Sequence, residues 1–509
     1  MALPCTLAEL VALHSADRIA LAASGRAPLT FGALVRLTDR TVASLNAFGI
    51  GRNDRAAVVL PNGPEMAAAF LAVGAGATVA PLNPAYREDE FRFYLDDLSA
   101  RALIVSEDES GPSVDAAARL GIPLLRLVCE EGEPAGSFSL FAEGAGAESA
   151  SVKGYAGAAD TALLLHTSGT TSRPKIVPLS QANVCASAAH IAETLRLEPA
   201  DRGMNIMPLF HIHGLIANLL APMHAGCSVY CTPGFDAFRV FEWFADAKPT
   251  WYSAVPTMHQ AILARAGRNA GVVDALQLRF VRSSSASLPP QVMRALETLF
   301  RCPVIESYGM TEAAHQMASN PLPPAERRPG SVGVAAGPEI AIMDEMGHLL
   351  PAGKTGEVVI RGPNVMAAYE NNPEANDSAF ADGWFRTGDQ GALDTAGYLT
   401  ITGRLKEIIN RGGEKISPRE VDEALMDHPA VRQVVTFALP HKTLGEEVAA
   451  AIVLAEGAEA SDSELRAFVG ARLADFKVPR RIVFVDEIPK GATGKLQRIG
   501  LAGKLGLTP

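Results

Sequence analysis

The chain alternates short, unbroken apolar runs with longer segments of helical spacing. Ala56-Ala57-Val58-Val59-Leu60 is stopped by Pro61-Asn62-Gly63, which predicts a buried strand. Pro64 to Ala77 then carries a helical pattern, with Pro64 in a first-turn position where its missing N–H costs nothing. Val79 to Leu82 predicts a second strand, Arg87 to Leu98 a second amphipathic helix, and Leu103-Ile104-Val105 a third strand. Strands separated by helices of this length predict βαβ units, an α/β architecture with parallel sheet covered on both faces.

Residues 345–403 change character. Gly and Asp recur between short β runs, Glu357-Val358-Val359-Ile360 and Tyr398-Leu399-Thr400-Ile401, which predicts a β-rich subdomain. After Gly403-Arg404-Leu405-Lys406 a compact strand-and-helix pattern continues to the end. The expected division is a large unit over residues 1–404 and a small α+β unit over 405–509. A small-molecule site is expected in the crevice between them.

Bulk properties remove some classes of function. The 509 residues carry a formal net charge of −11 and no long basic run, which argues against a nucleic-acid grip built on phosphate neutralisation. Cys5, Cys129, Cys185, Cys227, Cys231 and Cys302 show no C-x-x-C spacing, which points to a reducing compartment. The N-terminus lacks the basic flank and apolar run of a secretion signal. Apolar stretches stop short of a membrane span, and Leu507-Thr508-Pro509 is not a peroxisomal address. The expected location is cytoplasmic, with no nucleic-acid or membrane partner; oligomeric state is not readable from these features.

The richest segment runs from Leu163 to Lys175, Leu-Leu-Leu-His-Thr-Ser-Gly-Thr-Thr-Ser-Arg-Pro-Lys. An apolar strand enters a loop crowded with hydroxyls, one Gly and two cations. Hydroxyls and free backbone N–H groups can bond phosphate oxygens while Lys175 offsets their charge. It is not a Walker A loop, since G-x-x-x-x-G-K-[ST] occurs nowhere in the chain. On composition alone an ordinary polar turn remains the leading alternative.

This loop resembles the phosphate-binding signature of the adenylate-forming superfamily, which includes acyl-CoA synthetases, firefly luciferase and peptide-synthetase adenylation domains. The resemblance extends along nearly the whole chain. Tyr308-Gly309-Met310-Thr311-Glu312 is similar to the family's adenine and magnesium motif, and Gly383-Trp384-Phe385-Arg386-Thr387-Gly388-Asp389 to its ribose motif. Gly403-Arg404-Leu405-Lys406-Glu407 resembles the hinge, and Pro489-Lys490-Gly491-Ala492-Thr493-Gly494-Lys495 the C-terminal lysine loop. The phosphate loop departs from the family pattern at Ser172 and Ile176, where Gly is usual.

The resemblance implies a fold of α/β subdomains plus a β-rich subdomain with a mobile C-terminal lid. It also implies an acid–thiol ligase that uses ATP, Mg²⁺ and coenzyme A on a small carboxylate. Lys495, Thr311, Glu312 and His211 would be catalytic, with Glu312 holding Mg²⁺. Thr167, Ser168, Gly169, Thr170, Thr171 and Lys175 would hold the phosphates. Ser285, Ala286, Ser287, Glu306, Ser307, Tyr308, Gly309 and Met310 would frame the adenine, and Asp389 and Arg404 the ribose. Lys406 would be the hinge, and Gly412, Gly413 and Glu414 would approach CoA.

The acid is read from fewer residues. Pro208-Leu209-Phe210-His211-Ile212-His213-Gly214, Arg282 and Thr311-Glu312-Ala313-Ala314-His315 offer imidazoles, a guanidinium and hydroxyls where a fatty-acyl tunnel would be apolar. Such donors suit a small polar or dicarboxylic acid, because a second carboxylate left unpaired would cost several kcal/mol. The stretches 282–288, 314–322 and 411–418 resemble the oxalate–CoA ligases of plants and fungi. By that resemblance His213, Ser285 and His315 would contact oxalate. The alternatives are malonate or another short or aromatic acid, and transfer to a carrier-protein thiol instead of CoA; no carrier segment follows the lysine loop.

Overall fold

The structure is a computed structural model and describes residues 3–143, 150, 152–167, 174–489, 496 and 498–507. The apolar runs form the interiors of two large sheets. One has seven strands in the order Ser139–Glu143, Leu124–Val128, Ala102–Ser106, Arg55–Val59, Thr78–Pro81, Thr161–Thr167, Lys175–Ser180. Its inner pairs are parallel, and the two edge pairs are antiparallel. Helix Pro64–Gly74 is buried at every residue except Glu65, which explains why its sequence is apolar on all sides.

The second sheet has nine strands. Val334–Ala335, His315–Ser319, Val304–Met310, Phe280–Ser283, Trp251–Ala254, Arg202–Asn205, Ser228–Cys231, Ile19–Ala22 and Leu29–Thr30 follow one another across it. The five pairs from Val304–Met310 to Ile19–Ala22 are parallel. The strands read from residues 56–105 pair in parallel as expected, while the outer strands of both sheets run antiparallel. Only a short turn separates Val304–Met310 from His315–Ser319, and a parallel return needs a crossover of a dozen residues or more.

One apolar core runs through both sheets and reaches Ile360 and Phe385 of the β-rich part. That part is an antiparallel sheet of Glu339–Met343, Thr355–Arg361, Trp384–Leu393, Phe380–Ala381 and Leu399–Arg404. The described residues from Ile409 onward build their own sheet and their own apolar clusters. They meet the rest through polar contacts. Ser417 Oγ donates to Thr402 O, Arg419 Nη1 to Ile401 O at 2.8 Å and Gln291 Nε2 to Met426 O at 2.9 Å, and Lys415 Nζ pairs with Glu345 at 3.3 Å.

The fold thus gathers the motif residues at the carboxyl ends of parallel strands, the usual ligand edge of an α/β sheet. Among the described residues, no helix is long and apolar enough to cross a membrane.

Candidate active site

Strand Val304–Met310 pairs antiparallel with His315–Ser319 from Ser307 to Met310, and the register of that pairing shifts between Tyr308 and Gly309. A Cβ on Gly309 would lie 1.7 Å from the carbonyl oxygen of His315, so only glycine lets the return strand close here. Tyr308 donates its hydroxyl to Asp389 Oδ2. Asp389 stands directly opposite Arg404 in the Trp384–Leu393/Leu399–Arg404 ladder, which sets up their ion pair. Arg404 Nε donates to Asp389 Oδ1 at 2.7 Å and Nη2 to Oδ2 at 3.3 Å. Burial opposes the Arg404 charge, but Asp389, Tyr308 and Glu407 together hold the guanidinium pKa above its ordinary value. Burial, then Asp389, pushes the Tyr308 phenol far up, so it stays a donor. Asp389 thus already accepts three bonds; a ribose diol would share it with Arg404 and Tyr308.

At the loop expected to bind phosphate, Thr167 lies opposite Lys175 at the mouth of an antiparallel hairpin. Ser168, Gly169, Thr170 and Thr171 lie outside the described residues. Lys175 Nζ sits 4.3 Å from the centroid of the Tyr369 ring, and Tyr369 Oη donates to Glu312 Oε1 at 2.8 Å. Burial and the nearby Lys406 lower the Lys175 pKa, while Glu312 opposes them. Burial raises the Glu312 pKa against its own backbone, Tyr369, Arg404 and Lys175. Lys175, Lys406, Arg404 and Glu312 therefore share one electrostatic neighbourhood. Thr311 opens the single turn Thr311–Ala313. Asn364 clamps this turn, donating to Ala313 O at 2.8 Å and Gln316 O at 3.0 Å.

A second cluster is built over Arg282, which is fully buried in the middle of a central strand and in register with Ser253. Its Nη1 lies 3.2 Å from His315 Nε2, and Nη2 donates to Gln316 Oε1 at 3.3 Å. No carboxylate among the described residues pairs with it, and Nε has no partner. Burial alone pushes its pKa down to about 9, which leaves it cationic at neutral pH. His213 and His315 are both buried, and their rings stack with centroids 4.9 Å apart. His213 Nδ1 is 3.1 Å from Ser285 Oγ and its Nε2 is 2.7 Å from Ser253 Oγ.

The backbone around this cluster is strained. Ser285, Ala314 and His315 have φ of 74°, 46° and 98°, a region that non-glycine residues avoid. His213 opens the π-helix His213–Leu220, a form concentrated at functional sites. A Cβ on the next residue, Gly214, would fall 2.2 Å from Pro208 O, so glycine allows this tight entry.

The sequence matches the AMP-binding enzyme family over residues 8–370 and the AMP-binding enzyme C-terminal domain over residues 420–495. The chain belongs to the AMP-binding enzyme family. It is 45% identical over 503 residues to an oxalate–CoA ligase of Arabidopsis thaliana, covering 97% of this chain and 96% of that one. It is 41% identical over 470 residues to an oxalate–CoA ligase of Saccharomyces cerevisiae, covering 88% and 86%. The crystal structure of ATP-bound MatB from Rhodopseudomonas palustris superposes with a TM-score of 0.84 at 28% identity, covering 97% of each chain.

Within this AMP-binding enzyme the structure brings together Thr167, Lys175, Tyr308, Thr311, Glu312, Asp389 and Arg404 on one side and His213, Ser285 and His315 on the other. Lys495 lies outside the described residues. His211 is half-buried and accepts the His213 N–H at 3.4 Å, beside the acid cluster. Ala286 is exposed and Ser287 half-buried at the lip of the serine loop. Glu306 and Ser307 lie beneath that loop: Glu306 Oε1 accepts from Leu288 N at 3.1 Å, and Ser284 Oγ donates to Ser307 O at 3.1 Å. Met310 caps the Thr311 turn. Gly412 and Gly413 form the tip of the hairpin Ile409–Arg411/Glu414–Ile416, with Glu414 exposed.

Sequence reasoning missed Tyr369, Ser253 and Asn364. Each is an isolated residue in a segment with no motif of its own, and its place emerges only when distant segments meet.

Glu306 carries a consequence for stability. Burial raises its pKa from 4.5 to about 7, and Oε2 has no partner among the described residues. An acid with a raised folded pKa favours folding while protonated, so its contribution is full below pH 4.5 and is lost as pH rises through about 7. The cost at pH 8 is about 3 kcal/mol. Glu306→Gln keeps the acceptor for Leu288 and removes the ionisation. Its melting midpoint should exceed the parent's by several degrees at pH 8 and match it near pH 4.5; an equal offset at both would contradict the burial argument.

Proposed function

We propose that this protein is an ATP-dependent acid–CoA ligase whose acid is oxalate. A carboxylate oxygen attacks the α-phosphorus of ATP and diphosphate leaves, giving an acyl-adenylate. The CoA thiol then loses its proton and attacks the acyl carbon, and AMP departs with the bonding pair. The first step brings two anions into contact, so the site must supply positive charge where they meet.

Lys175 and the loop from Thr167 hold the outer phosphates, Thr311 bonds the α-phosphate, and Lys495 bridges nucleophile and electrophile. Asp389 and Arg404 hold the ribose, while Tyr308 and Ser285-Ala286-Ser287 border the adenine. For magnesium, Glu312 would be the protein ligand. No group of three acidic or imidazole side chains able to cage a metal occurs among the described residues, and a lone carboxylate completed by phosphate oxygens and water is how Mg²⁺ is commonly held. When bound, the ion would offset phosphate charge. Rotation at Lys406 then brings Gly412, Gly413 and Glu414 to the pantetheine.

The observation that carries oxalate as the acid is Arg282, a buried cation against two imidazoles with no carboxylate beside it among the described residues. Leaving a buried charge unpaired is costly, and a second anionic group on the substrate offsets that cost. A monocarboxylate spends its only charge on the α-phosphate. The 45% identity to a plant oxalate–CoA ligase supports the same reading.

A CoA-ligation screen over oxalate, malonate, acetate, glyoxylate and benzoate tests the substrate. Oxalate should give the highest kcat/KM, about 10²-fold or more above acetate, the scale of one unpaired buried group. Acetate or benzoate turning over as well as oxalate would contradict the proposal. Lys495→Ala should lose adenylation by about 10²–10³-fold while thioester formation from pre-made oxalyl-adenylate largely survives. Equal loss in both steps would remove Lys495 from its role.

A further inference from the structure

A guanidinium has donors and no acceptor, so every group it faces must present a lone pair. Arg282 Nη1 faces His315 Nε2 at 3.2 Å, His213 Nε2 at 3.4 Å and Ser253 Oγ at 3.4 Å. The Gln316 amide is fixed from behind, its Nε2 donating to Thr194 Oγ1 at 3.1 Å and Ala336 O at 3.0 Å, so Oε1 points at Arg282 Nη2.

These constraints assign protons. His315 Nε2 accepts from Arg282, so His315 is neutral with its proton on Nδ1. Ser253 accepts from Arg282 and donates its own proton to His213 Nε2 at 2.7 Å, so His213 is also neutral with its proton on Nδ1. That Nδ1–H donates to Ser285 Oγ at 3.1 Å. With its oxygen engaged as acceptor, the Ser285 hydroxyl keeps its own proton to give away. Ser285 is the half-exposed member of this chain, whereas Arg282, Ser253, His213 and His315 are buried.

We infer that Arg282 is the positioning residue of the acid site: it holds both imidazoles neutral in the Nδ1–H form and, through Ser253 and His213, turns the Ser285 hydroxyl into a donor for the substrate's second carboxylate. The claim about the carboxylate rests on the oxalate reading above; the claim about the protons does not. Arg282 acts through Ser253, His213 and Ser285, so its loss should weaken the acid's binding and leave the nucleotide's alone.

The test uses the full-length protein, with imidazole ¹H–¹⁵N spectra assigned by His213→Gln and His315→Gln. In the parent protein both residues should appear as neutral Nδ1–H forms; an imidazolium or an Nε2–H form at neutral pH would overturn the inference before any variant is made. Arg282→Met should shift at least one ring to another tautomer and raise KM for oxalate about 10²-fold, with KM for ATP held within about twofold. Arg282→Lys should recover part of the loss. Ser285→Ala, which leaves the buried cluster whole, should raise KM for oxalate while both imidazoles keep the parent tautomers. Unchanged tautomers in Arg282→Met, or KM for ATP rising in step with oxalate, would show that Arg282 merely supports the fold. Should the parent protein ignore oxalate, the substrate reading fails, while the spectra still decide the role of Arg282.

Discussion

A cation buried without a counter-ion among the described residues is the constraint around which the proposed acid half of this protein is arranged. Arg282 occupies the centre of a parallel strand whose every residue is buried, the kind of position that ordinarily takes Val or Ile. Its neighbours are chosen to accept: a serine in register on the next strand, two imidazole nitrogens and an amide oxygen. None of them carries negative charge. On the proposed function the charge is left for an anionic substrate that arrives from outside, which is how a stable fold can hold such a preference.

The proposed nucleotide half faces the opposite problem, since ATP brings more negative charge than one site easily accommodates. Here the β-rich part contributes through its ladder. Asp389 and Arg404 face each other across two paired strands, and Tyr308 reaches them from the large sheet. Glu312 is buried beside Lys175 and held by Tyr369, whose ring also lies under the lysine ammonium. The two halves join at Gly309, where the absence of a side chain lets the His315 strand fold back against Tyr308. One short segment, Tyr308 to His315, therefore runs from the proposed ribose end of the site to its proposed acid end.

The α/β pattern, the strands after Pro61 and the order of the motifs were readable because they depend on local periodicity and contiguous residues. The antiparallel edges were not, since pairing direction is set by how short the turn between two strands is, and the turn after Met310 looked like part of a motif rather than a connection. His213, Ser285 and His315 were named from resemblance. That Arg282 lies beneath them required the register of two strands distant in sequence. Tyr369 stood in an unmarked loop and was invisible for the same reason: its meaning lies in the pair of residues it touches.

The central claim is that the second charge of the acid, rather than its size, is what this site selects. Oxamate has nearly the shape of oxalate but replaces one carboxylate with a neutral amide. In acid-dependent exchange of labelled diphosphate into ATP, oxalate should exceed oxamate in kcat/KM by about 10²-fold or more, the scale of one unpaired buried charge. Comparable exchange with the two acids would contradict the account.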